Sequence, residues 1–215
     1  MHTMTKRTFI LLFCILVGSN EAVAVSGGED LDCGELTNPY GPYDFTDPAH
    51  REEFLPVVEK FHFTKNVEAL IRGKSDTITG DLHYTLRAFP NHHRALDSMA
   101  RYQFQHKRPF GAPYYSAECY FVRAIRFKPY DGVVRLIYGI FFHKRGDFQS
   151  AEVRYLEALK LVPEASSAEV FYNLGLLYID LKMWGKAIEF AQKAYDGGHP
   201  LPGLKNRLKR AGKWP

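Results

Sequence analysis

Histidine and cysteine are the residue types in this chain that could support chemistry, and their spacing decides what kind. Four histidines lie close together in the sequence: His83, His92, His93 and His106. Imidazole binds zinc and copper, but a metal site needs several ligands at a defined spacing, and that spacing is missing. His92 and His93 also follow a proline-containing turn, where polar residues are common. We therefore predict no metal site and no cofactor.

The sequence carries no motif of a known catalytic class. It lacks a nucleophile elbow, a glycine loop that would hold phosphate, a His-Glu-x-x-His helix and paired cysteines at metal spacing. We therefore predict no catalytic residues and no enzymatic activity.

Residues 1–24 have the three parts of a secretory signal peptide. Lys6 and Arg7 precede the apolar run from Phe9 to Val17, and the small residues Ala22 and Ala24 follow. An uncleaved membrane anchor is the alternative, but a spanning helix needs about 20 apolar residues and this run is shorter. We predict cleavage after Ala24 and export to the periplasm or the extracellular space.

Cys33 and Cys119 are the two cysteines that remain after that cleavage. In an oxidising compartment an isolated pair of cysteines favours a disulfide, and two separate buried thiols are the alternative. Cleavage also lowers the net charge from +4 to +3. A charge balance this mild argues against a nucleic-acid partner, since such proteins concentrate basic residues on one face.

The elements that position these residues are indicated by an internal repeat between residues 132 and 199. Gly139 and Gly175 lie 36 positions apart, and the same offset separates Ala151 from Ala187 and Ala158 from Ala194. Each unit reads as two short amphipathic helices, with small residues where the helices approach closely. A helix pair this short cannot bury its apolar face alone, so neighbouring units must stack.

This pattern resembles the tetratricopeptide repeat, a helix-turn-helix unit of about 34 residues. The resemblance implies an all-α solenoid that spans residues 64–215. We assign a degenerate unit to 64–90, with helices expected from Lys65 to Arg72 and from Thr77 to Ala88. Full units are assigned to 91–129, 132–163 and 168–199, and a capping helix to 201–213. An insertion between His106 and Tyr115 predicts a longer loop in the first full unit.

Residues 25–63 are predicted to form an irregular arm that is rich in aromatic residues and proline. Glycine and proline favour turns there, yet Tyr40, Tyr43 and Phe45 are too apolar for a solvated linker. We expect an ordered arm with one short helix over 49–60, and a disordered spacer is the alternative. The cationic residues of the capping helix fit a solvated outer face, and contact with an acidic partner or an anionic lipid surface is the alternative.

The resemblance also implies a partner-binding groove, because first helices line the concave side of such arrays. The corresponding positions are Val133, Leu136, Ile140, His143, Lys144, Glu169, Tyr172, Asn173, Leu176, Ile179 and Asp180. Some of the apolar positions could instead pack between units. Asn173 matches one position of a carboxylate grip known in the family, whereas Leu136, Ile140 and Glu169 depart from it.

Two functions fit these observations. The first is an exported scaffold that binds a peptide or helix of another protein in its groove, for example during assembly of an envelope complex. The second is a structural subunit that associates with itself through the aromatic arm. Membrane contact is expected only through an anionic surface or a partner.

Overall fold

The computed structural model describes residues 33–106 and 114–214. Within these ranges the chain is all-α and contains no strand, which confirms the predicted fold class at that level. The predicted signal peptide at 1–24 and loop residues 107–113 lie outside the described residues. No helix in the described part of the chain is long and apolar enough to cross a membrane.

Eleven α-helices are described, and a 3-10 turn at Glu164–Ser166 precedes the ninth. Their bounds are α1 Pro48–Glu53, α2 Leu55–His62, α3 Lys65–Glu68, α4 Ile78–Ala88, α5 His93–His106, α6 Ala117–Phe127, α7 Gly132–Arg145, α8 Phe148–Leu161, α9 Ser167–Asp180, α10 Trp184–Asp196 and α11 Gly203–Arg210.

Two helices differ from the sequence-based expectation. The single helix expected over 49–60 is divided into α1 and α2, because Pro56 lacks the N–H that would continue α1. The helix expected from Lys65 to Arg72 ends at Glu68, and Leu70 adopts a left-handed conformation with φ 58°. The backbone then turns so that the N–H groups of Lys74 and Ser75 reach the Asp81 carboxylate. The left-handed residue therefore ends α3, and the buried carboxylate holds the segment that follows.

Helices α7 to α10 form two regular pairs, α7 on α8 and α9 on α10. Asp131 caps α7 by accepting hydrogen bonds from the N–H groups of Val133 and Val134. Gly146 ends the helix with φ 83°. Gly139 allows the close approach of α8, since a Cβ there would lie 2.5 Å from the Tyr155 ring.

The first helices of successive pairs lie side by side, with α7 in contact with both α5 and α9. Helix α11 continues this row, because Leu204 packs against Gly175 of α9. Leu204 and Leu208 are fully buried, whereas Lys209 and Arg210 are exposed. Helix α11 therefore covers the apolar end of the last pair and keeps the charges of Lys209 and Arg210 in solvent.

The arm packs on the helices of its own chain. Cys33 and Cys119 form the predicted disulfide, which joins the start of the arm to α6. One turn further along α6, Arg123 donates to the carbonyl oxygens of Cys33 and Glu35 at 2.9 and 2.7 Å. Beyond this point Tyr43 donates its N–H to the Ala88 carbonyl at 2.8 Å. The described residues of the arm, 33–63, therefore contact helices of the same chain.

Candidate functional site

The predicted groove residues lie on two adjacent helices, α7 and α9. We call the surface that they form the α7–α9 face. Its eleven members differ in exposure. Leu136, Asn173 and Ile179 are buried and pack between helices, so they are not available to a partner in this conformation. The half-buried members are Val133, Ile140, His143, Tyr172 and Leu176, and the exposed members are Lys144, Glu169 and Asp180.

A polar bridge links the carboxyl ends of the helices in this row. His143 of α7 contacts the Asp180 carboxylate of α9 at 2.9 Å, and Arg207 of α11 donates to its other oxygen at 2.5 Å. Partial burial alone would raise the pKa of Asp180, but the hydrogen bonds from Arg207 and His143 outweigh burial and lower it. Asp180 therefore stays ionised and holds three helices in register.

A second polar cluster lies at the opposite end of α9. His199 is buried, stacks on Tyr172 with ring centroids 3.9 Å apart, and contacts the Glu169 carboxylate at 3.0 Å. Asn173 directs its amide nitrogen to the carbonyl and side chain of Glu169, at 2.8 and 3.1 Å. A carboxylate grip would use this same amide group. Because the group already hydrogen-bonds to Glu169, Asn173 makes its contacts inside α9.

An apolar strip remains between the two polar clusters. Ile140 and Leu176 are half-buried and contact the core with one side, which leaves the other side open to solvent. Lys144 adds an exposed cation at the edge, and it forms no ion pair with any residue that the structure describes. An apolar strip with charged ends suits an apolar stretch of chain, because burial supplies affinity and the charged ends supply direction.

Sequence reasoning missed His199 and Arg207, which reach this face from outside the two groove helices. Gly203 permits the close approach of α11 to α9 that brings Arg207 to this face. A Cβ at Gly203 would lie 2.6 Å from the Tyr172 hydroxyl. Nothing in the sequence indicated that His199 would turn inward.

Three of the four histidines that lie close together in the sequence contact other side chains. His83 contacts the Tyr120 hydroxyl at 2.7 Å, and His92 contacts Glu59 at 3.2 Å. His93 contacts Asp131 at 2.9 Å. Within residues 33–106 and 114–214, no group of three His, Cys, Asp or Glu side chains lies close enough together to hold a metal ion.

Comparison with known proteins adds no relative. No protein-family model matches the sequence, and no curated protein matches it at a significant level.

Proposed function

We propose that this chain is an exported scaffold of the tetratricopeptide type, which binds an extended or helical segment of another protein on the α7–α9 face. The observation that carries the proposal is the half-buried apolar strip of Ile140 and Leu176, placed between two polar clusters on helices that lie side by side. The paired helices, their glycine and alanine contacts and the covering helix α11 support the repeat assignment.

Export is part of the same proposal. The signal-peptide pattern at residues 1–24 supports it, and the Cys33–Cys119 disulfide is compatible with an oxidising compartment. Binding of an apolar segment also explains why no catalytic motif accompanies this surface, since recognition of this kind needs shape and apolar area only.

The second candidate, self-association through the arm, has less support. Its aromatic residues are engaged inside the chain: Tyr43 stacks on Phe54 with ring centroids 4.0 Å apart, and Phe45 packs on His92 at 4.4 Å. Among the described aromatic residues of the arm, Phe61 is 43% exposed, so the aromatic surface left for a second copy is small.

Site-specific photo-cross-linking in cells tests the proposed function. A photoreactive residue at Leu176 should capture a discrete partner protein, and the partner should be lost in an Ile140→Ser background. The matched control is Leu156 on α8, a leucine of 39% exposure outside the α7–α9 face. Tyr172 is left intact in these variants, because its ring supports His199. Equal capture from positions 176 and 156 would contradict the proposal.

A further inference from the structure

A second concave site lies between the arm, α2 and α4, and it shares no residue with the α7–α9 face. Two adjoining cavities of about 570 and 330 Å³ have His62, Ser75 and Tyr84 in common. The larger cavity is also lined by His83, Arg87 and Tyr114. We call the combined space the α2–α4 cleft. Its size is within the range of sites that hold a small molecule or one end of a peptide.

One wall of the α2–α4 cleft is fixed by the fully buried carboxylate of Asp81. This group accepts hydrogen bonds from the backbone of Lys74 and Ser75 and contacts Nδ1 of His62 at 2.9 Å. Tyr84 stacks on the His62 ring with centroids 3.7 Å apart. In the tautomer of His62 in which Nδ1–H donates to Asp81 and Nε2 has no proton, Nε2 can accept a hydrogen bond from a ligand.

The other wall presents a hydrogen-bond donor. Burial, with help from the positive charges of Arg87 and Arg123, lowers the pKa of His83 to about 4, so this ring is neutral at physiological pH. The buried Tyr120 hydroxyl lies 2.7 Å from Nδ1 of His83, and in one neutral tautomer of the ring the hydroxyl donates to Nδ1. In that tautomer Nε2 of His83 carries the proton and can donate to a ligand.

Arg87 supplies a positive charge at the α2–α4 cleft. It is half-buried at the edge of the α2–α4 cleft and has no ion pair or hydrogen bond with any residue in the described part of the chain. The acidic residue among the lining side chains, Asp76, hydrogen-bonds to the N–H of Thr77 at 2.6 Å and packs over Gly80. Its guanidinium nitrogens are not among the buried atoms that lack a partner, and an anion in the cleft would accept charge-assisted hydrogen bonds from them.

We propose that the α2–α4 cleft binds an aromatic carboxylate, independently of the proposed function of the α7–α9 face. The carboxylate is held by Arg87 and the Nε2–H of His83. The aromatic ring of the ligand packs against Tyr84 and Tyr114, which provide apolar surface on the same side as Arg87. A hydroxyl or N–H group on the ligand donates to Nε2 of His62. This chemistry is shared by free aromatic acids and by peptides that end in tyrosine or phenylalanine.

Calorimetric titration of the intact mature chain tests the proposal with four probes. These are N-acetyl-tyrosine, its amide, a pentapeptide that ends in tyrosine, and the same peptide amidated. We expect the free carboxylates to bind at least about tenfold more tightly than the amides, since a charge-assisted hydrogen bond is lost on amidation. A peptide that binds more tightly than the acid identifies a chain terminus as the source, and the reverse order identifies a small molecule.

The decisive variant is Arg87→Gln, which removes the charge and keeps hydrogen-bonding capacity. It should weaken carboxylate binding to the level of the amides, with Arg210→Gln on the exposed face of α11 as the matched control. Far-ultraviolet circular dichroism will show that both variants are folded. Equal affinity for acid and amide, no saturation with any probe, or identical behaviour of the two variants would each overturn the proposal.

Discussion

The regions before and after residue 131 differ in their buried polar side chains and in their helix lengths. Before it, fully buried polar side chains are frequent, including Asp81, Asn91, His92 and Arg123, each at most 1% exposed. After it, the buried polar side chains of the described chain are all at 7 to 8% exposure, at the margin of the core. Helix lengths vary widely in the first region, from 4 residues in α3 to 14 in α5, while α7, α8 and α9 each have 14.

The second region is stabilised by the packing of its regular repeat, and the first region by other contacts. In α7 to α10, glycine and alanine let long helices interlock, and stabilisation comes from contacts between neighbours in the sequence. In the first region the short helices bury less, and distant segments are joined by the disulfide and by polar networks. Asn91 is such a junction, because it hydrogen-bonds to the N–H of Phe45, to Asp44 and to Asp131.

Loss of the Cys33–Cys119 disulfide should have the largest effect on the first region. The bridge closes a loop of 86 residues, and by loop entropy the Cys33→Ser, Cys119→Ser double variant should lose about 4 to 5 kcal/mol of unfolding free energy. Urea unfolding measures the loss, and hydrogen exchange should place early opening in the arm and α6. A loss below about 1 kcal/mol, or exchange that rises first in α7 to α10, would contradict the comparison.

Gly139→Ala should break the close helix contact of the second region. The added Cβ would lie 2.5 Å from the fully buried Tyr155 ring, which has no room to move, so we expect a loss of about 1 to 3 kcal/mol. Gly185→Ala is the matched control, since a Cβ there meets nothing within 4 Å and the helix should gain up to about 1 kcal/mol. The measurement is the thermal midpoint of each variant, and two shifts of the same sign would refute this account.

Lower pH should weaken the first region through His83. Burial holds its pKa at about 4 in the folded chain, against an ordinary value of 6.5. The unfolded chain therefore binds a proton that the folded chain does not, and stability is complete above about pH 6.5 and falls as the pH drops towards 4. Allowing for partial solvent exposure, we expect a loss of about 1 to 2 kcal/mol.

The His83→Gln variant separates this effect from other titrations. Glutamine can still accept the Tyr120 hydrogen bond but does not titrate, so the stability curve should flatten between pH 7 and pH 5. Urea unfolding at a series of pH values provides the measurement. Parallel curves for the two proteins would show that His83 is not the group responsible.

The sequence predicted the second region better than the first, for a physical reason. Periodic glycine and alanine are local signals, and the units assigned from them at 132–163 and 168–199 overlap the helix pairs α7–α8 and α9–α10. The segment that follows the early end of α3 is held by Asp81, a carboxylate that lies in another helix, and no local pattern reports such a contact. The disulfide was predictable because its two cysteines were the pair left after the predicted cleavage.

Prediction from the sequence was also incomplete for the candidate site. Family resemblance selected α7 and α9, but it did not separate Leu136 and Ile179, which are buried, from Ile140 and Leu176, which keep an open side. Exposure depends on how α5, α9 and α11 lie against these helices, and that information is not contained in one repeat. The α2–α4 cleft was missed entirely, because its residues come from three segments without a common spacing.

The smallest effect is expected for Lys193→Met on the outer surface of α10. Lys193 contacts Glu189 one turn earlier at 2.6 Å, but both side chains are about half exposed, and such pairs contribute little. Its nitrogen also lies 5.0 Å from the centre of the Phe190 ring, and methionine can keep an apolar contact there. We expect a change within about 0.5 kcal/mol by urea unfolding. A loss above about 1 kcal/mol would mean that the second region depends on its surface charges, and that its glycine and alanine contacts do not suffice to hold it.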